Sequence, residues 1–448
     1  MNEFIEKAQN AGCSEVETFQ ISKQTQGVFF TNGKINDLQA KESTGIALRV
    51  KKDDKLGFIG SSNLQSSEEI IEKAVVSTQF GENLNYSFPT PAEFESVNIY
   101  NEGLAQRSIE DYIPRCETFI KTIQQATDNI SVDCFFEKTI TTIAIQNSNG
   151  LDCGYMNSLL TFYSEMRLTE NSTMFEIEMQ LDGHDSSISE QEFARKIVEE
   201  IPYYSTIKTI KPGKRPVLFT PECFGDLFLA LETGLRGSAV VKGISPLTHK
   251  IGEQIFDERI NIIDDSTNPQ GKLAAPFDDE GTPGQKTYLV RNGILENFIC
   301  DLKSATALDR EPTGNGYRYR GLYRVKSYTV KPGCDFSNVI IQPGKMSVED
   351  MIKSIDEGVL VQAIGGLLLA NLNNGDYSGT ISQGLKIEKG KIVGRVTNAM
   401  ITGNFYHDFR HNLVALAHDS HWLGAFSGQI GAFNIPYALL KDITISSR

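Results

Sequence analysis

Apolar and polar residues change rhythm along this chain, and the changes mark out its elements. Asn2 to Ala11 carries Phe4, Ile5 and Ala8 at helical spacing with Gly12 behind them as a stop, which predicts a helix. Short strand-like runs follow at 16–21, 27–30, 35–40, 45–50 and 56–59, parted by Asn32-Gly33 and Asp53-Asp54. Such residues accept the backbone of tight turns, so the segment predicts an antiparallel meander. Ser66 with Glu69, Ser108 with Asp111 and Ser189 with Glu192 have capping-box spacing and predict helices reaching about Val76, Ala126 and Glu200. Pro114 lies beyond the first turn of the second, so a kink or a later start is expected there. The polar stretch 83–102 reads as irregular, whereas 130–136, 139–146, 154–166 and 175–180 read as further strands.

The pattern breaks at 205–216, where Lys208, Lys211, Pro212, Gly213, Lys214 and Arg215 crowd together. This predicts a linker, 205–215, between an N-terminal α+β domain, 1–204, and a second domain, 216–448. The second domain opens with a short strand, 217–219, and Thr220-Pro221 then starts a helix that Gly234 ends. Its centre is the run Pro276 to Gly316. There Asn292-Gly293 joins two apolar runs as a type I′ hairpin, flanked by the loops Pro276–Gly284 and Pro312–Gly316. Ser347 with Asp350 predicts a helix stopping at Gly358, Lys389-Gly390-Lys391 turns another hairpin, and 434–446 contains a strand. The fold class expected is α+β: an N-terminal antiparallel sheet with helices, then a mostly β domain with two helices.

Composition narrows the function. A chain of 448 residues exceeds one ordinary core, and its 43 basic against 57 acidic residues give a formal charge of -14. That balance repels phosphate backbones and excludes a general nucleic-acid binder. Seven cysteines without a Cys-x-x-Cys pair fit a reducing compartment. Met1 to Gln9 has no signal-peptide pattern and no apolar run approaches the ~18 residues of a bilayer span, so a soluble cytoplasmic protein is expected.

Several residues carry chemistry that the pattern leaves open. Asp278, Asp279 and Glu280 offer oxygens to a hard cation, or form a solvated acidic turn. His407, His411, His418 and His421 lie close in sequence; on a helix the first two share a face and can bind zinc, or all four are exposed loop residues. No Glu follows His407, so the His-Glu-x-x-His signature is absent. Ser378 lacks the spacing of a nucleophile elbow, and no loop has the pattern that cradles phosphates. Cys223 stands in the first turn of the Thr220 helix, either activated by the helix end or buried and inert.

Four of these segments resemble the TldD/PmbA family: 277–284, 292–295, 312–316 and Gly375-Asp376-Tyr377-Ser378, the last being closer to the PmbA (TldE) branch. The family was once described as modulators of DNA gyrase and is now regarded as cytoplasmic metallopeptidases. Its TldD-type members carry a His-Glu-x-x-x-His helix and a C-terminal cysteine that bind zinc. Aligned on the following Gly234-Leu235-Arg236-Gly237, those positions are Phe228, Leu229 and Thr233, with Ser427 for the cysteine. The resemblance therefore implies no zinc in this chain and a non-catalytic role beside a TldD-like subunit that holds the metal. It further implies a cavity for unfolded peptide, with Gly234, Gly237, Asp376, Tyr377 and Ser378 as candidates for its wall. Two other readings stay open: an independent metallohydrolase using the His407 to His421 cluster, and a homodimeric peptide-binding regulator linked to DNA gyrase.

Overall fold

The computed structural model describes residues 1–64, 66–170, 173–320, 324–367, 371–425 and 430–447. An N-terminal sheet of six strands runs in the order β3-β2-β1-β4-β5-β6. Its strands are β1 (Glu15–Thr31), β2 (Lys34–Lys52), β3 (Lys55–Ser61), β4 (Ile130–Asn147), β5 (Asp152–Glu170) and β6 (Thr173–Gly183). The short runs expected from the sequence are thus segments of longer strands. Ser22 to Gln26 interrupts the apolar alternation, yet those residues pair on one side with 40–44 and on the other with 138–142. Ladder hydrogen bonds, which are blind to side chains, carry the strand through its polar middle. Asn32-Gly33 turns the first hairpin, with both residues at positive φ.

Of the expected helix caps, those at Ser66, Ser108 and Ser189 make no side-chain bond to the helix backbone, although helices follow in each case. After Ser108 a 3-10 turn precedes the helix Ile113–Gln124, so Pro114 sits in a first turn, where its missing N–H costs nothing. That helix and Glu190–Tyr204 lie between the two sheets. Their Phe119, Ile123 and Ile197 share one apolar core with Phe136 and Phe162 of the N-terminal sheet and with Leu218, Leu360 and Leu439 of the C-terminal one.

The C-terminal sheet has twelve strands and is built around the long strand Ile430–Ser447. This strand pairs in parallel with Asn338–Ile341 and antiparallel with Gly213–Phe219, Ala399–Asn404 and Leu413–Ala425. The stretch 205–215 is not a free joint. Ile207–Lys208 and the start of Gly213–Phe219 are strands of this sheet, and Ile210 is buried between them. The Asn292-Gly293 hairpin forms at one end of the sheet, from Lys286–Arg291 and Ile294–Leu295. More helices are present than the two expected: Gly237–Val241, Leu302–Ala307 and Phe405–His411 are additional, and each is too short to show a period.

Candidate functional site

The helix Pro221–Leu235 starts where Thr220 Oγ1 accepts the Cys223 N–H at 3.4 Å and Pro221 sits in the first turn. Its buried residues surround the axis, because the helix runs through the C-terminal core. Phe228 is fully buried, edge-on to Phe336 at 5.9 Å and to Phe433 at 5.3 Å between ring centroids. Leu229 packs half-buried against the same core. Thr233 Oγ1 donates to Asn373 Oδ1 at 3.0 Å. Ser427 lies outside the described residues. Phe228 and Leu229 bring no donor atom, and the hydroxyl of Thr233 is engaged, so these positions do not fit a zinc ion.

One turn on from Phe228 lies a carboxylate missed in the sequence. Glu232 accepts from Arg324 Nη2 at 2.6 Å and from Arg236 Nη2 at 2.8 Å. Asp335 Oδ1 closes the group, 2.9 Å from Arg236 and 3.1 Å from Arg324. Burial pulls the Arg324 guanidinium down, but Glu232 and Asp335 outweigh it and hold it above its ordinary range. The Arg236 guanidinium also lies 5.6 Å from the centre of the Phe336 ring that covers Phe228. Glu232 is therefore spent on two arginines and is not free to ligate a metal. Its four-residue spacing from Arg236 was the one visible signal.

Gly375-Asp376-Tyr377-Ser378 is organised by the helix Phe405–His411. At Gly375, φ is +83° and any Cβ would lie 2.5 Å from the Tyr406 ring; at Gly234 a Cβ would lie 2.4 Å from the Tyr406 hydroxyl. Two glycines thus make the slot that Tyr406 fills. Tyr377 donates to Asp408 Oδ2 at 2.8 Å. Of the candidate wall residues, Gly234, Gly237 and Tyr377 are buried and belong to the framework, because their close approach to neighbours is what lets the elements meet. Asp376 is exposed and Ser378, beside Thr402 at 3.2 Å, is half-buried.

His407 and His411 share a helix face, with ring centroids 5.1 Å apart. His418 and His421 lie on the following strand, Leu413–Ala425, and are exposed. Among the described residues, no three His, Cys, Asp or Glu groups converge as a metal site, so the four histidines form no common centre. Cys223 is buried, and burial pushes its thiol well above the ordinary range, with Asp226 adding to the effect; it is the inert thiol.

Asp278, Asp279 and Glu280 are neither a cation loop nor a solvated turn: all three are buried. Asp278 accepts the N–H groups of Glu280, Thr282 and Gly316 at 2.8 to 2.9 Å. Asp279 accepts from Lys326 Nζ at 2.6 Å and from the Arg318 N–H at 2.8 Å. Glu280 accepts from Arg49 Nη1 at 2.8 Å, and Arg49 and Arg318 both donate to Glu17. Burial first, then the Glu280 charge, pushes Asp278 well above the carboxylate range against its three N–H donors. The cluster joins β1 and β2 to the C-terminal loop, and its partners are too distant in sequence for contiguous acids to have revealed them.

The twelve-stranded sheet packs on a buried helix that ends in Gly234-Leu235-Arg236-Gly237 and carries Phe228, Leu229 and Thr233. The model for the PmbA/TldA metallopeptidase C-terminal domain matches residues 212–447, and that for domain 1 matches 16–77. The chain belongs to the TldD/PmbA family. An uncharacterized protein of Methanocaldococcus jannaschii is 28% identical over 413 residues, 88% of this chain and 90% of its own. The metalloprotease TldD homolog of Haemophilus influenzae is 24% identical over 411 residues, 86% of this chain and 82% of its own. The crystal structure of TldE from Thermococcus kodakarensis superposes with a TM-score of 0.91 over 100% of both chains at 23% identity, a likeness of fold.

Proposed function

We propose that this chain is the PmbA/TldE-like, non-catalytic subunit of a two-component zinc peptidase that acts on unfolded peptides. One observation carries the reading: at the family's metal position stands the ring of Phe228, buried between Phe336 and Phe433. Peptide hydrolysis by zinc needs a Lewis acid to polarise the carbonyl and a base to deprotonate water. At the positions matching the family motif the helix offers neither, since Phe228 and Leu229 carry no ligating or titratable group, and Glu232 one turn on is paired with Arg236 and Arg324. The zinc is expected in a TldD-like partner, with Asp376 and Ser378 as the reachable side chains this chain brings to a shared peptide cavity.

The test is zinc content by elemental analysis together with cleavage of an unstructured peptide. Both are measured for this chain, for the TldD-like protein of the same organism, and for the two mixed. Cleavage that requires the mixture, with zinc absent from this chain, is the expected result. Stoichiometric zinc and cleavage by this chain alone would overturn the proposal.

A further inference from the structure

We propose that His407 and His411 form a two-histidine clamp on the surface for a borderline divalent transition-metal ion, Zn²⁺, Ni²⁺ or Cu²⁺, with Asp408 as its positioning residue. The clamp uses none of the residues at the family's zinc position and stands apart from the reading of this chain as non-catalytic. Imidazole nitrogen is the donor such ions favour.

The platform is rigid. Phe405 and Phe409 are buried and stacked at 4.3 Å, Phe409 stacks on Phe224 at 4.6 Å, and Asn404 Oδ1 caps the helix by accepting the His407 N–H at 3.0 Å. On the solvent side of this anchored turn, His407 and His411 sit four residues apart with ring centroids at 5.1 Å. Both are exposed, the His407 side chain to 63%. Neighbours at this spacing on a helix can hold one ion between them.

Behind the pair stands a carboxylate whose own geometry is fixed. Asp408 Oδ2 accepts from the Tyr377 hydroxyl at 2.8 Å and the Asn404 N–H at 2.9 Å, and Oδ1 accepts from Asn412 Nδ2 at 2.9 Å. The remaining direction of Oδ1 meets His407 Nδ1 at 3.1 Å. A carboxylate there selects the Nδ1–H tautomer and leaves the Nε2 lone pair pointing away, the arrangement of a carboxylate–histidine–metal relay. Two protein ligands leave the ion's other positions to water or to a donor from a second molecule.

The experiment is titration of the purified chain with NiSO₄ and with ZnCl₂ by calorimetry. One saturable site is expected. His407→Ala and His411→Ala, both at exposed positions, should each weaken it at least ~10-fold, and Asp408→Asn by about 10–100-fold. Two readouts on the unsubstituted chain do not depend on how Asp408→Asn folds. Imidazole ¹⁵N shifts should report the Nδ1–H tautomer at His407, and sub-stoichiometric Ni²⁺ should broaden His407 and His411 before His418 and His421. Absence of saturable binding, or binding that survives the His407→Ala/His411→Ala double substitution, would overturn the proposal. A different tautomer at His407 would remove Asp408 from it.

Discussion

Replacing Arg49 by methionine keeps most of the side-chain volume and removes the charge together with its N–H donors. In the structure Arg49 is 1% exposed and donates to Glu17 on β1 and to Glu280 in the C-terminal loop. Arg318 still reaches Glu17 at 2.6 Å, so that carboxylate keeps one partner. Among the described residues, Glu280 then keeps only the Leu302 N–H at 2.9 Å. Removing one member of a buried ion pair leaves the other charge uncompensated and costs about 3–5 kcal/mol. Lys303 and Glu82 form a control pair whose side chains are 54% and 42% exposed, and Lys303→Ala should cost at most about 1 kcal/mol. The assay is urea unfolding of Arg49→Met, Glu280→Gln and the double variant. If the pair acts as a unit, the double variant is more stable than the sum of the singles predicts, by about 0.5–3 kcal/mol. A cost for Arg49→Met no larger than that of Lys303→Ala, with additive singles, would refute the reasoning.

Two further outcomes follow from buried polar groups. The Tyr406 hydroxyl is buried without a partner among the described residues and lies 2.4 Å from where a Cβ on Gly234 would be. Tyr406→Phe should therefore be neutral or stabilising by up to about 1 kcal/mol, and should relieve part of the destabilisation caused by Gly234→Ala, as measured by thermal unfolding. Asp264 accepts from Asn315 and Ser337, yet burial raises it to about 6. A carboxyl that holds its proton longer folded than unfolded favours the folded state at low pH and loses that advantage as pH rises from about 4 to 6. The stability of the chain relative to Asp264→Asn should accordingly fall by about 3 kcal/mol over that range, at ~1.4 kcal/mol per pH unit. A difference that does not change between pH 4 and pH 7 would contradict this.

What the sequence made legible was chiefly local. Asn32-Gly33 and Asn292-Gly293 announce hairpins because positive φ is a property of the residues themselves. Thr220 and Ser347 cap their helices as their spacing suggests. Ser66, Ser108 and Ser189 have equal spacing but leave the bond unmade, so spacing alone does not decide a cap. At the candidate site, residue type alone shows that Phe228 and Leu229 carry no ligating atom. The ion pairs of Glu232 were not readable, because it finds Arg324 92 residues away. Asp278 to Glu280 looked like surface for the same reason: what neutralises them comes from β2 and from the chain beyond the hairpin.

The bond between Glu17 and Arg318 spans 301 residues. A ribosome making this chain therefore releases β1 to β6 long before the arginine that completes their buried charge exists. Phe119 and Ile197 likewise wait for Leu360 and Leu439 before their core is closed. Contacts of such long sequence separation slow folding. During synthesis its first half emerges with apolar surface still open, which gives holdase chaperones a natural point of engagement.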